Sequence, residues 1–106
     1  MATNSEIVKQ LEDAKETLQE QCNSASGDEV KQLMTIIHQI ADEIGPIEDA
    51  ALADAPYVPK TDPFKEETAD GEAFLTNLNS LKTAFGDAVA VASALDSVIK
   101  IVSKYV

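Results

Sequence analysis

The sequence predicts an all-α protein, an antiparallel three-helix bundle with a long C-terminal helix. Along three segments, apolar residues recur at alternating spacings of three and four, as on a helix with one buried face. No stretch shows the strict alternation of apolar and polar residues that is typical of a strand. Prolines at positions 56, 59 and 63 disfavour a helix between the second and third segments. At 106 residues, the chain is expected to form a single domain.

The first helix is predicted over residues 4–23. Asn4 or Ser5 is suited to cap its start, and Lys, Glu and Gln, which are good helix formers, fill its outer face. The predicted buried positions are Ile7, Leu11, Ala14 and Leu18, with Val8 and Cys22 beside them.

The second helix is predicted over residues 28–44. Ser26 and Glu29 match a capping box, in which each side chain binds a backbone amide at the start of the helix. Its apolar stripe is broad and consists of Val30, Leu33, Met34, Ile36, Ile37, Ile40, Ala41 and Ile44.

A break is predicted at Gly45-Pro46, because proline lacks an amide hydrogen and clashes with the carbonyl four residues earlier. Proline also suits the first position of a helix, so a short helix is predicted over 46–54. The proline-rich loop 55–70 follows. Its apolar residues Tyr57, Val58 and Phe64 indicate that the loop lies across the bundle.

The C-terminal helix is predicted over residues 72–104 as one unbroken element. Apolar positions alternate spacings of four and three from Phe74 to Val106 without a slip. Gly86-Asp87 is the one candidate break, and the continuous heptad phase favours a helix that passes through it. An unbroken helix of this length would span roughly 50 Å, at about 1.5 Å per residue, and would require an elongated molecule.

A second apolar stripe begins at Val91 on the same predicted helix. Two stripes are explained either by two contacts inside the chain or by one contact inside the chain and one with a second chain. Ala84, Ala88 and Ala92 lie four residues apart and would allow another helix to approach closely. A homodimer would complete a longer or four-helix bundle. The candidate oligomer or partner interface consists of Ala84, Ala88, Val91, Ala92, Ala94, Leu95, Val98, Ile101, Val102 and Tyr105.

The chain is strongly acidic, with 19 Asp and Glu against 8 Lys and a formal net charge of −11. Residues 1–72 hold 17 of the acids and five of the lysines, whereas residues 73–106 are nearly neutral. This balance argues against nucleic-acid binding through phosphates, which needs clustered cations, and against adhesion to anionic membranes. A basic protein partner, or solubility alone, explains the charge.

The sequence predicts no catalytic residue, no metal ligand and no cofactor, and therefore not an enzyme. His38 and Asp42 are two potential metal ligands one helical turn apart, but a catalytic metal usually has three. Cys22 and His38 form a nucleophilic pair only if the fold brings them together, and no third residue orients them. Asp70-Gly71-Glu72 lacks the other ligand positions of a calcium loop.

Residues 1–20 contain no apolar signal-peptide core, and the apolar window 88–102 is too short for a membrane span. A cytoplasmic location is expected, with export by a signal-less route left open. The leading hypothesis is a non-catalytic interaction or structural module that self-associates through its C-terminal helix. The alternatives are an acidic inhibitor, immunity or antitoxin-like protein that binds a basic protein, and an amphipathic protein that associates with membranes through that helix.

Overall fold

The computed structural model describes residues 2–24 and 27–104, and the all-α prediction is confirmed for this part of the chain. It contains four α-helices: α1, Asn4–Ser24; α2, Asp28–Ile47; α3, Ala69–Ala84; and α4, Val89–Lys104. Two 3-10 turns, Ala50–Leu52 and Asp62–Phe64, lie between α2 and α3. The described residues include no strand, only an isolated antiparallel bridge between Thr3 and Pro56.

The helices pack around a single hydrophobic core. α1 contacts α2 and α4, while α3 contacts α4 and, less extensively, α2. The Cα radius of gyration is 13.2 Å and the principal extents are 39 × 26 × 19 Å. The molecule is therefore compact, not elongated. The core side chains of α1 and α2 are Ile7, Leu11, Ala14, Leu18, Leu33, Ile36, Ile40, Ile44 and Ile47.

The start of α1 is fixed by the chain that precedes α3. The backbone amides of Asn4 and Ser5 donate to the carbonyls of Ala55 and Ala53 at 2.9 and 3.0 Å. These bonds satisfy amides that have no partner within the helix. Thr3, not the predicted Asn4 or Ser5, caps the helix, since its Oγ1 accepts from the Glu6 amide at 3.3 Å. The Asn4 side chain is buried and donates instead to the carbonyl of Leu52 at 2.9 Å.

α2 continues through Gly45 and Pro46 to Ile47, which corrects the predicted break and the predicted short helix 46–54. Gly45 has no Cβ and so avoids the clash that normally keeps the residue before a proline out of the helical region. Ile47 is fully buried, and its packing favours a helical last turn. At the other end of α2 the N-cap is Gly27, with φ 78° and no side-chain cap. Ser26 of the predicted capping box lies outside the described residues.

The predicted helix 72–104 is two helices, because residues 85–88 form a turn. The Gly86 amide donates to the Thr83 carbonyl at 3.2 Å, and the Ala88 amide donates to the Phe85 carbonyl at 2.9 Å. Gly86 and Asp87 are poor helix formers, so interrupting the helix at these residues costs the least free energy. α4 then packs against α3 and α1, and Phe85 stays buried. The second stripe, which starts at Val91, is the core-facing side of this new helix.

Candidate functional site

Most of the predicted interface residues of α4 are buried inside the chain. Of the others, Ala84 at the end of α3 is exposed, Ala88 in the turn and Ala92 in α4 are half-buried, and Tyr105 lies outside the described residues. The apolar stripe that motivated self-association therefore has partners within one chain, namely α1 and α3. The six buried members of the predicted interface are Val91, Ala94, Leu95, Val98, Ile101 and Val102.

Cys22 and His38 line one groove between α1 and α2, with a volume of about 390 Å³. The fold thus brings the sequence-predicted pair to the same groove. Burial raises the pKa of the Cys22 thiol, which opposes formation of the nucleophilic thiolate. His38 is exposed, and within the described ranges no three His, Cys, Asp or Glu side chains are grouped to hold a metal ion. The groove therefore lacks the features of an activated nucleophile.

The surface carries a large excess of negative charge. All acidic side chains are exposed except Glu43, which is buried, and Glu66 and Asp96, which are half-buried. Both ion pairs among the described residues involve Asp96, which lies 3.0 Å from the Lys82 ammonium and 3.1 Å from that of Lys100. Hydrogen bonds from Lys82 and then Lys100 lower the pKa of Asp96. Almost all the other carboxylates face solvent.

Three acidic residues line a groove at the start of α3, here called the acidic groove. Glu66, Glu67 and Glu72 line it together with Leu75 and Thr76, and its volume is about 690 Å³. Leu75 is half-buried and packs against the core, so the groove has an apolar wall. Carboxylates beside an apolar wall suit a Lys or Arg side chain, whose stem is aliphatic and whose end is cationic.

The local sequence explains how the acidic groove is built. Thr68 caps α3, since its Oγ1 accepts from the Gly71 amide at 2.9 Å and donates to the Lys65 carbonyl at 2.8 Å. Gly71 lets the preceding chain approach the helix closely, because a Cβ there would overlap the backbone of Lys65. This close approach places Glu66 and Glu67 beside the first turns of α3, where Glu72 lies.

Glu43 is a buried carboxylate that the sequence interpretation missed. It accepts hydrogen bonds from the Tyr57 hydroxyl at 2.7 Å, the Lys60 amide at 2.9 Å, and the amide and hydroxyl of Thr61, both at 2.8 Å. The sequence feature that indicates its burial is its position in the core stripe of α2, three residues after Ile40 and four before Ile47. An acid at such a position is rare unless it is paired. The four donors meet this requirement.

No helix within residues 2–24 and 27–104 is long and apolar enough to cross a membrane. No protein-family model, curated protein or solved structure matches the chain. The function must therefore be inferred from the surface and the core themselves.

Proposed function

We propose that the protein is a non-catalytic, acidic binding protein that covers a basic region of a protein partner, in the manner of an inhibitor, immunity protein or antitoxin. The acidic groove carries this proposal, because it gathers Glu66, Glu67 and Glu72 around the apolar wall formed by Leu75. A cytoplasmic location is part of the proposal.

The charge of the whole chain supports the same function. A net charge of −11 attracts a basic partner over distances of about 10 Å, the Debye length at moderate ionic strength. Such steering raises association rates and discriminates against acidic partners. The partner would also relieve the repulsion among the exposed carboxylates of the free protein.

Affinity capture from a native lysate tests the proposal. The bait is the wild-type protein, compared with a groove variant, Glu66→Gln/Glu67→Gln/Glu72→Gln, and with a matched α1 variant, Glu12→Gln/Glu16→Gln/Glu20→Gln. Each variant removes three exposed or half-buried carboxylates, so both have the same net charge. We expect wild type and the α1 variant to retain the same basic protein, and the groove variant to lose it.

Salt provides the second criterion. Retention should fall steeply between about 0.05 M and about 0.5 M salt, because interactions between exposed charges are screened. Capture of no basic protein, equal loss by both variants, or retention that is insensitive to salt would contradict the proposal.

Self-association is a second candidate, supported by the exposed start of α4. Val89 is 78% exposed, the most exposed large apolar side chain in the described part of the chain, and Ala84, Ala88 and Ala92 lie near it in sequence. In this alternative, the short turn 85–88 joins antiparallel helices and a second copy covers Val89. Sedimentation at tens of micromolar should then show a dimer that Val89→Ser weakens; a strict monomer would eliminate this candidate.

The membrane hypothesis requires a larger structural change than self-association does. Association of α4 with lipid through its apolar stripe would remove Val91, Leu95, Val98 and Val102 from the core. Wild type should float with liposomes only under conditions that also disrupt its near-ultraviolet circular dichroism signal. Absence of flotation under such conditions would eliminate this hypothesis.

A further inference from the structure

The segment 48–68, here called the strap, connects α2 to α3 and contacts several helices. Its backbone pairs with residues 2–5 at the start of α1, and its 3-10 turn Asp62–Phe64 contacts α3 and α4. Apart from two 3-10 turns the strap has no regular secondary structure, and most of its side chains from Glu48 to Pro56 are exposed. These are features of a segment that is less stable than the helices around it.

The side-chain hydrogen bonds described between the strap and α2 share one acceptor, the carboxylate of Glu43. Glu43 accepts all four hydrogen bonds described above, from three strap residues: Tyr57, Lys60 and Thr61. Hydrogen bonds to a buried charged group are stronger than those between neutral groups. Loss of this single acceptor would leave four donors without their partner.

Apolar attachment of the strap is limited. Tyr57 and Phe64 are its two buried aromatic side chains, and the Phe64 ring centroid lies 5.2 Å from that of Phe74. Opening the strap would expose these two side chains, whereas global unfolding would expose the whole core of the four helices. Local opening is therefore expected to cost less free energy than unfolding.

We propose that Glu43 is a latch and that the strap opens as a unit while the four helices stay packed. The prolines at 56, 59 and 63 restrict the backbone, so the strap moves as a stiff segment. Opening uncovers the end of the core around Phe74. It also separates Glu66 and Glu67, which belong to the strap, from Glu72 and Leu75 of α3. This last consequence, control of the acidic groove, rests on the proposed function; the opening itself does not.

Hydrogen exchange, followed residue by residue, tests the latch without any partner. In Glu43→Gln, the amide nitrogen of the new side chain faces donors and cannot accept from them. In wild type we expect the amides of Tyr57, Lys60, Thr61 and Phe64 to exchange through a smaller opening free energy than the core amides of α1 and α4, and in Glu43→Gln we expect these strap amides to exchange about tenfold faster or more. Asp42→Asn is the matched control, because this exposed neighbour loses the same charge and should leave exchange unchanged.

A second variant keeps the test decisive if Glu43→Gln does not fold. Thr61→Val keeps the shape of the side chain and removes only the hydroxyl donor, so strap exchange should still rise several-fold. Equal opening free energies for the strap and helix amides in wild type, or no acceleration of the strap amides in either variant, would overturn the latch. Either result leaves the proposed binding function to be decided by the capture experiment, and failure of capture would leave the latch intact.

Discussion

Glu43 and Asp96 are carboxylates of the same chain in opposite settings. Glu43 is fully buried and its oxygens are satisfied by hydroxyl and amide donors, whereas Asp96 is half-buried and held by two lysines. A buried acceptor whose loss leaves donors unpaired matters more to stability than an ion pair open to water. The two residues should therefore respond to substitution very differently.

Glu43→Ala should lower the free energy of unfolding by about 3 kcal/mol, because the donors from Tyr57, Lys60 and Thr61 would lose their acceptor. Urea unfolding followed by circular dichroism would measure the change. The control Asp42→Ala, at an exposed position, should change it by less than about 0.5 kcal/mol. Similar values for the two variants would contradict the assigned role of Glu43.

Asp96 should stabilise the fold in a pH-dependent way. Its pKa is lower in the folded protein than in the unfolded chain, so its contribution is present above about pH 4 and is lost as the pH falls through the folded value. Asp96→Asn should lower the free energy of unfolding by up to about 1 kcal/mol near neutral pH and by progressively less as the pH falls through the folded pKa. The difference should shrink in a Lys82→Gln background, and a difference independent of pH would contradict this account.

Gly71 should not tolerate a side chain. In Gly71→Ala, the added Cβ would meet the Lys65 carbonyl and the Glu66 Cα, which are backbone atoms that cannot turn away. The forced shift should lower the free energy of unfolding by about 1–3 kcal/mol, although alanine is the better helix former. Thermal unfolding would measure this loss, and an increase in stability would show that the chain does not approach α3 as described.

Among the helices, the turn between α3 and α4 is the clearest correction to the sequence interpretation. Four residues amount to about one helical turn, so the heptad spacing on either side stays in phase whether or not the helix is broken. The start of the second stripe at Val91 is the sequence feature that indicates the break, because a new helix turns a new side towards the core. The stripe alone does not distinguish a contact inside the chain from a contact with a second chain.

Proline substitution distinguishes a turn from a continuous helix. Asp87→Pro should change the free energy of unfolding by less than about 1 kcal/mol, since the Asp87 amide makes no backbone hydrogen bond within the described turn. Ser93→Pro, at an exposed position inside α4, should lower it by about 3 kcal/mol or more. Equal losses in the two variants would mean that α3 and α4 are one helix.

The sequence predicts some elements well because their determinants are local. The stripe of Ile7, Leu11, Ala14 and Leu18 depends only on helical periodicity, and all four residues are buried as predicted. The environment of Glu43 depends on donors 14 to 18 residues away, at Tyr57, Lys60 and Thr61. Periodicity contains no information about such contacts. The acidic groove was missed for the same reason, because it forms only when the strap turns onto α3.

On the scale of the whole molecule, charge opposes folding. With a net charge of −11 concentrated before residue 73, repulsion between exposed carboxylates favours the expanded chain. Salt screens this repulsion, so the melting temperature should rise by several degrees between about 0.02 M and about 0.3 M sodium chloride. The α1 variant, with three carboxylates fewer, should show a smaller rise. A melting temperature that falls with salt would contradict this view of the surface.

Binding of a labelled lysine-rich peptide, followed by fluorescence anisotropy at low salt, tests the proposed binding function most directly. Wild type and the α1 variant should bind the peptide with similar affinity. The groove variant has the same net charge as the α1 variant, but its affinity for the peptide should be lower by a factor of about ten or more. Equal binding by the two variants would show that total charge, and not the acidic groove at Glu66, Glu67 and Glu72, governs recognition, and would contradict the proposal.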